Sequence, residues 1–302
     1  MPISRKIMGV SRGGGGNKAI FGYGTTGSDV SLTNLVSNSG VVSGDVTGVG
    51  TVRYALAAAG YGTDKAIFGY GYAGGYVSMT NLVSNIGVVA SNVTGVGTAR
   101  RSLAAANYGT DKAIFGYGTT TTDFSLKNLV SNIGIVASDA TGVGTARYFL
   151  AAANYGTDKA IFGYGWNFSL NAVSMTNLVS NSGVVASDVT GVGTARAYLA
   201  AANYGTDKAI FGYGYGGGYV SMTNLVSNIG VVASDVAGVG TARVYVAAAN
   251  YGTNKAIFGY GSNSSSVDVS MTNLVSNIGV VSSDVTGVGT ARSQLAASSY
   301  GS

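Results

Sequence analysis

The heptapeptide KAIFGYG occurs six times, beginning at Lys18, Lys65, Lys112, Lys159, Lys208 and Lys255. The intervals are 47, 47, 47, 49 and 47 residues. A second string, NLVSN, follows each copy from Asn34, Asn81, Asn128, Asn177, Asn224 and Asn273. A third, GVGTAR or GVGTVR, closes each unit at Arg53, Arg100, Arg147, Arg196, Arg243 and Arg292. A fixed period of this length means that one supersecondary unit is stacked repeatedly, each copy burying its apolar face on the next.

One unit runs from Arg53 to Thr98. Residues 54–61 (YALAAAGY) form a small-residue apolar segment, and Gly62-Thr63-Asp64 is a turn signal. Residues 65–71 are an apolar strand ending in Gly-Tyr-Gly, followed by a loop whose sequence differs between units. Residues 77–84 (VSMTNLVS) alternate apolar and polar, Asn85-Ile86-Gly87 turns, and residues 88–93 predict a fourth strand. The segment LAAA is compatible with a helix start, but its short run and flanking glycines favour a strand. Four short strands per unit without a helical period predict an all-β, six-bladed propeller of four-stranded blades.

Composition narrows the chemistry. The chain has no His and no Cys, and twelve Asp account for every acid, so Glu is absent as well. Ser-His-Asp and Cys-His catalysis, zinc fingers, thiolate metal sites and disulfides are excluded. No apolar run approaches the about 18 residues that a membrane-spanning helix needs.

The frame of each unit (an Arg, a small apolar strand, a turn, then a second apolar strand ending in glycines) resembles a kelch repeat. The doublet here is Gly-Tyr-Gly, and the recurring Trp of that family is missing, since Trp166 is the only one. The resemblance implies units at about 18–52, 53–99, 100–146, 147–195, 196–242 and 243–291. The first unit lacks an LAAA strand of its own, so residues 292–302 (RSQLAASSYGS) are expected to complete its sheet and close the ring. Residues 7–11 (IMGVS) compete for that slot and match it poorly.

Strand order assigns two ends to such a blade. The turns between strands one and two, and between three and four, scarcely vary: YGTDK recurs in four units and SN-(Ile/Ser)-G in all six. The loops between strands two and three vary strongly, as do the two residues after each Arg, and both sets are expected at the other end. Candidate binding residues there are Thr25, Thr26, Tyr54, Tyr72, Tyr76, Thr119, Thr120, Tyr148, Trp166, Asn167, Phe168, Tyr198, Tyr215, Tyr219, Tyr245, Ser262 and Asn263. Rigid aromatics and small polar residues suit a binding surface. Relaxed drift in loops gives the same variation, but drift touches both ends, and the opposite turns stay fixed.

Several other patterns carry no chemistry. Three units match G-x-G-x-x-G, from Gly22, Gly69 and Gly212, but a loop and a strand follow where a dinucleotide site needs a helix. No cofactor is expected. The six repeated Arg are read as donors to carbonyls between units, and the repeated Lys as solvated neighbours of Asp64, Asp111, Asp158 and Asp207. Asp139, Asp188, Asp235 and Asp284 offer a ring of carboxylates to calcium, but they lack D-x-D-x-D-G spacing, and no metal site is assigned. Asp29, Asp123 and Asp268 lie in separate loops, so no glycosidase pair stands out.

The net charge of +5 is uneven, because Arg5, Lys6 and Arg12 put three positive charges into residues 1–17. The remainder is nearly neutral, which speaks against nucleic acid as a partner. Residues 1–17, ending in four glycines and Asn17, read as a basic arm for docking on an assembly. The small-residue units without His, Cys or Glu resemble propellers of predicted bacteriophage virion proteins. That resemblance implies a non-enzymatic tail or capsid component, extracellular on a virion. It would be part of a homo- or hetero-oligomer through its arm and display the loops to a host-surface glycan or protein. A consensus-designed propeller, a lectin-like protein and an Asp-dependent glycan hydrolase are the competing readings.

Overall fold

The computed structural model describes residues 17–301. The basic side chains of the arm, Arg5, Lys6 and Arg12, lie outside the described residues, as do residues 7–11. Among the described residues the fold is all-β, built on six three-stranded antiparallel sheets. This is compatible with a propeller.

In the second unit the strands are Ala57–Tyr61, Lys65–Tyr72 and Tyr76–Val83. The first strand begins three residues later than the apolar segment suggests, because residues 54–56 leave the ladder and Ala55 takes a left-handed φ of 51°. Equivalent first strands are Ala104–Tyr108, Ala151–Tyr155, Ala200–Tyr204, Ala247–Tyr251 and Ala296–Tyr300. The last of these belongs to the first unit's sheet. It pairs with Lys18–Gly22 from Lys18↔Tyr300 to Gly22↔Ala296, and Lys18–Gly22 pairs in turn with Thr33–Val36.

The expected fourth strand does not form a ladder. In the second unit it survives as two isolated bridges, Val83↔Val89 and Thr80↔Val93, whose registers differ by one residue. The extra residue is a bulge. The physical reason is the buried Asn81 side chain, whose Nδ2 donates to the Ala90 carbonyl at 2.9 Å and to Asn92 Oδ1 at 3.0 Å. A side chain thus takes the place of a backbone rung, and Asn34, Asn128, Asn177, Asn224 and Asn273 repeat the arrangement.

The KAIFGYG motif is an interlock between successive units. Gly69 lies under Phe115 of the next unit, and a Cβ there would approach the ring to 2.8 Å. The same contact joins Gly22 to Phe68, Gly116 to Phe162, Gly163 to Phe211, Gly212 to Phe258 and Gly259 to Phe21. The following tyrosine packs on the same Phe, with centroids 5.1 Å apart for Tyr70 and Phe115. Above the Tyr70 ring sits the guanidinium of the next unit's Arg100, 4.5 Å from the centroid. Arg100 is fully buried and donates from Nε to the Tyr117 carbonyl at 2.6 Å and from Nη2 to Asn128 Oδ1 at 2.8 Å. A buried guanidinium is tolerable only when ring faces and acceptors replace its water. Desolvation pushes the tyrosine hydroxyls up to about 12 at Tyr70, Tyr117, Tyr164, Tyr213 and Tyr260, and the facing Arg opposes that rise only in part.

At the turn end, backbone bonds link the units. The Gly62 amide donates to the Asp111 carbonyl, Gly109 to Asp158, Gly156 to Asp207, Gly205 to Asn254, Gly252 to Asn17 and Gly301 to Asp64. Each first strand also packs on those of the units before and after it, including Ala296–Tyr300 on Ala57–Tyr61. Ala58, Ala105, Ala152, Ala201, Ala248 and Ala297 line a cavity of about 50 Å³ shared by all six first strands. Only small side chains fit where so many strands converge, which accounts for the Ala-rich segment.

Candidate functional site

The two variable segments of each unit meet. Tyr54 bridges to Tyr72, Arg101 to Thr119, Ala197 to Tyr215 and Ser293 to Thr25. In two units the pairing extends to short ladders, Arg147–Tyr148 with Trp166–Asn167 and Arg243–Val244 with Ser262–Asn263. All six pairs lie beyond the Gly-Tyr-Gly end of the second strand, opposite the Lys turns. The glycine after each tyrosine permits this: Gly71 has φ of +112°, and a Cβ there would meet the Tyr54 carbonyl at 2.8 Å.

The second residues after each Arg together line a pocket of about 80 Å³. Ala55, Ser102, Phe149, Tyr198, Tyr245 and Gln294 all adopt left-handed φ between 51° and 59°. Such a backbone costs on the order of 1 kcal/mol per non-glycine residue. It is held by bonds between units, with five of the six amides donating to the preceding unit's carbonyl: Ala55 to Gln294, Ser102 to Ala55, Phe149 to Ser102, Tyr198 to Phe149 and Tyr245 to Tyr198. Because side chains at these positions are not needed for the bonds, they are free to vary. Phe149, Tyr198 and Tyr245 use that freedom to pack as tilted rings, with centroids 4.4 Å apart for Phe149 and Tyr198 and 4.7 Å for Tyr198 and Tyr245. Desolvation pushes the hydroxyls of Tyr198 and Tyr245 up, so both rings stay neutral at physiological pH.

The expected binding residues separate into three groups. Trp166, Tyr198, Tyr215, Tyr219 and Tyr245, with Val244, line an open-mouthed pocket of about 260 Å³. Tyr54, Tyr72 and Tyr76 form a second aromatic cluster around Arg101. The others mainly shape their own loops. Asn167 and Asn263 accept loop amides, Thr26 and Thr119 donate to nearby carbonyls, and Ser262 donates to Asp268. Phe168 projects into solvent, and Tyr148 rests on Phe149. Arg101, Phe149 and Val244 were not singled out from the sequence, although each stands at a position that varies between units.

The repeated charges sit in the framework. Lys65, Lys112, Lys159 and Lys208 pair with the preceding Asp at 2.8 to 3.4 Å on the surface. Asp139 Oδ2 accepts from both the amide and the hydroxyl of Thr98, and Oδ1 accepts from Asn128. Asp188, Asp235 and Asp284 are engaged in the same way, as is Asp45, which the sequence comparison had left out of the ring. Burial alone would raise these carboxyls, but the Thr and Asn donors prevail and hold all five below the usual range. Their oxygens therefore link adjacent units. Among the described residues no three acids stand together as a metal site. No protein-family model matches the chain, and no curated protein matches it.

Proposed function

We propose that the chain is a six-bladed, kelch-like propeller acting as a non-enzymatic binding module, with the variable end as its binding surface. The observation that carries this reading is the pairing of the two variable segments in every unit, which gathers the most divergent segments of the copies at one end. The blade number rests on the six sheets, on the succession of interunit glycine bonds that leads from Gly301 back to Asp64, and on the shared central cavity. The absence of His, Cys and Glu and the scattering of Asp29, Asp123 and Asp268 support a role without catalysis. The resemblance to phage virion propellers makes a tail or capsid surface the setting and a host-surface molecule the ligand.

The test is binding of the full chain to an array of cell-surface glycans and host envelope proteins. Binding that disappears with Trp166→Ala or Tyr72→Ala, and survives Lys112→Ala at the turn end, is expected. Binding that survives both aromatic variants overturns the reading.

A further inference from the structure

The second and fifth units carry nearly the same loop, YAGGYVS and YGGGYVS, and end in the same pair of rings. Tyr72 and Tyr76 meet edge to face at 5.4 Å, and Tyr215 and Tyr219 at 5.8 Å. What covers each pair differs. Over Tyr72 and Tyr76 lies Arg101 from the next unit, its guanidinium 5.1 and 5.9 Å from the two centroids. Arg101 also donates from Nη1 to the Tyr54 hydroxyl at 3.2 Å. In the fifth unit Val244 occupies the place of Arg101, and Ala197 occupies that of Tyr54. Both changes remove bulk and a hydrogen-bonding group, and the pocket of about 260 Å³ opens beside Tyr215 and Tyr219.

We infer that this pocket binds the guanidinium of an arginine side chain presented by a polypeptide partner. The protein's own Arg101 lies over the equivalent tyrosine pair and identifies the chemistry that fits there. Five of the six lining residues are aromatic, and their ring faces attract a cation, especially one as weakly hydrated as guanidinium. No lysine or arginine lines the pocket to repel it. The two sites thus share a tyrosine pair, covered from within by Arg101 in one and left for a guest in the other, where Trp166, Tyr198 and Tyr245 add further rings. The inference deepens the reading of the variable end as a binding surface and rests on it.

Trp166 is the chain's only tryptophan and lines the pocket, so its fluorescence reports on occupancy without a label. The probe is Nα-acetylarginine methylamide, compared with its citrulline analogue, which has the same shape and no charge. A saturable change in Trp166 emission is expected with the arginine probe, at about tenfold lower concentration than with citrulline. Val244→Arg, which copies the filled cage, is expected to abolish the response, and Val244→Ala to preserve it. If Val244→Arg fails to melt cooperatively, the double variant Tyr215→Leu, Tyr219→Leu replaces it and must also lose the response. Equal response to citrulline, tighter binding of the lysine analogue, no response of the unaltered chain, or a response that survives these blocking variants overturns the assignment. Such a failure leaves untouched any binding detected on the glycan and protein array, so the two readings fall separately.

Discussion

At the turn end of the six sheets, the residues between first and second strands repeat almost letter for letter, and glycine amides bond from one unit to the next. At the other end an equivalent succession of amide bonds runs through Ala55, Ser102, Phe149, Tyr198, Tyr245 and Gln294, six positions with five different residue types. Both ends link units through the backbone, yet only one has kept its side chains. The difference lies in what the side chains touch. Turn glycines such as Gly62 must hold φ of +59° with a neighbouring carbonyl 2.8 Å from where a Cβ would stand. At the mouth, side chains point into the cavity entrance or toward solvent, and any residue that accepts the left-handed backbone will serve.

This contrast can be broken most severely by raising the pH. The interior tyrosines Tyr70, Tyr117, Tyr164, Tyr213 and Tyr260 titrate near 12 when folded and near 10 when unfolded. Below pH 10 both states keep the proton. Between pH 10 and 12 the unfolded chain gives it up and the folded chain does not, so stability falls as pH rises. Each shift of about two units corresponds to about 2–3 kcal/mol, and the five together should unfold the protein cooperatively, seen as collapse of the urea midpoint above pH 10.

Next in size is Arg196→Met. It strands the Tyr213 carbonyl and Asn224 Oδ1 inside the protein and should cost about 3 kcal/mol by urea denaturation. Arg147→Met should cost less, because Arg147 Nε and Nη1 already lack hydrogen-bond partners and Nη1 has only a loose ion pair with Asp188 at 3.7 Å. Equal losses would show that the Arg196 Nε bond to the Tyr213 carbonyl is not what distinguishes them. Gly69→Ala, which drives a methyl into Phe115, should cost about 1–3 kcal/mol. Gly75→Ala in the variable loop meets nothing and should change stability by less than about 0.5 kcal/mol.

A smaller effect than that of Arg196→Met is expected from Tyr54→Ala combined with Arg101→Val. It removes one partly exposed cation–π cluster at about 1 kcal/mol and uncovers the Tyr72–Tyr76 pair. Calorimetric titration with the arginine probe should still find one site, because Thr25, Ala55 and Ser102 stand where the open pocket has Trp166, Tyr198 and Tyr245. If this pair of changes destabilises as much as Arg196→Met, the variable end is framework after all.

The sequence made the strands legible where its periodicity was strong. Residues 65–71 and 77–84 nearly coincide with Lys65–Tyr72 and Tyr76–Val83. The fourth strand was not legible, because the competitor for its rungs is the Asn81 amide, and a strand pattern does not reveal a side chain acting as backbone. The meeting of the two variable segments could be deduced from strand order alone. Its division into a filled and an open cage could not, since it depends on which ring Arg101 reaches across a unit boundary. The one available signal was an unrepeated cation directly after a repeated one.

The pairing of Ala296–Tyr300 with Lys18–Gly22 also shapes the birth of the molecule. During synthesis Lys18–Gly22 leaves the ribosome early and waits for a partner some 280 residues downstream, held only by Thr33–Val36 on its other edge. Until then one strand edge and the ring surfaces of Phe21 and Tyr23 lie open in a nascent chain that already contains near-copies of the missing strand. Ala57–Tyr61, Ala104–Tyr108 and their relatives are able to bind there in error, and near-identity of the units gives the sequence few means to reject them. The correct strand differs by carrying Ser298 and Ser299 where most others have Ala and Asn.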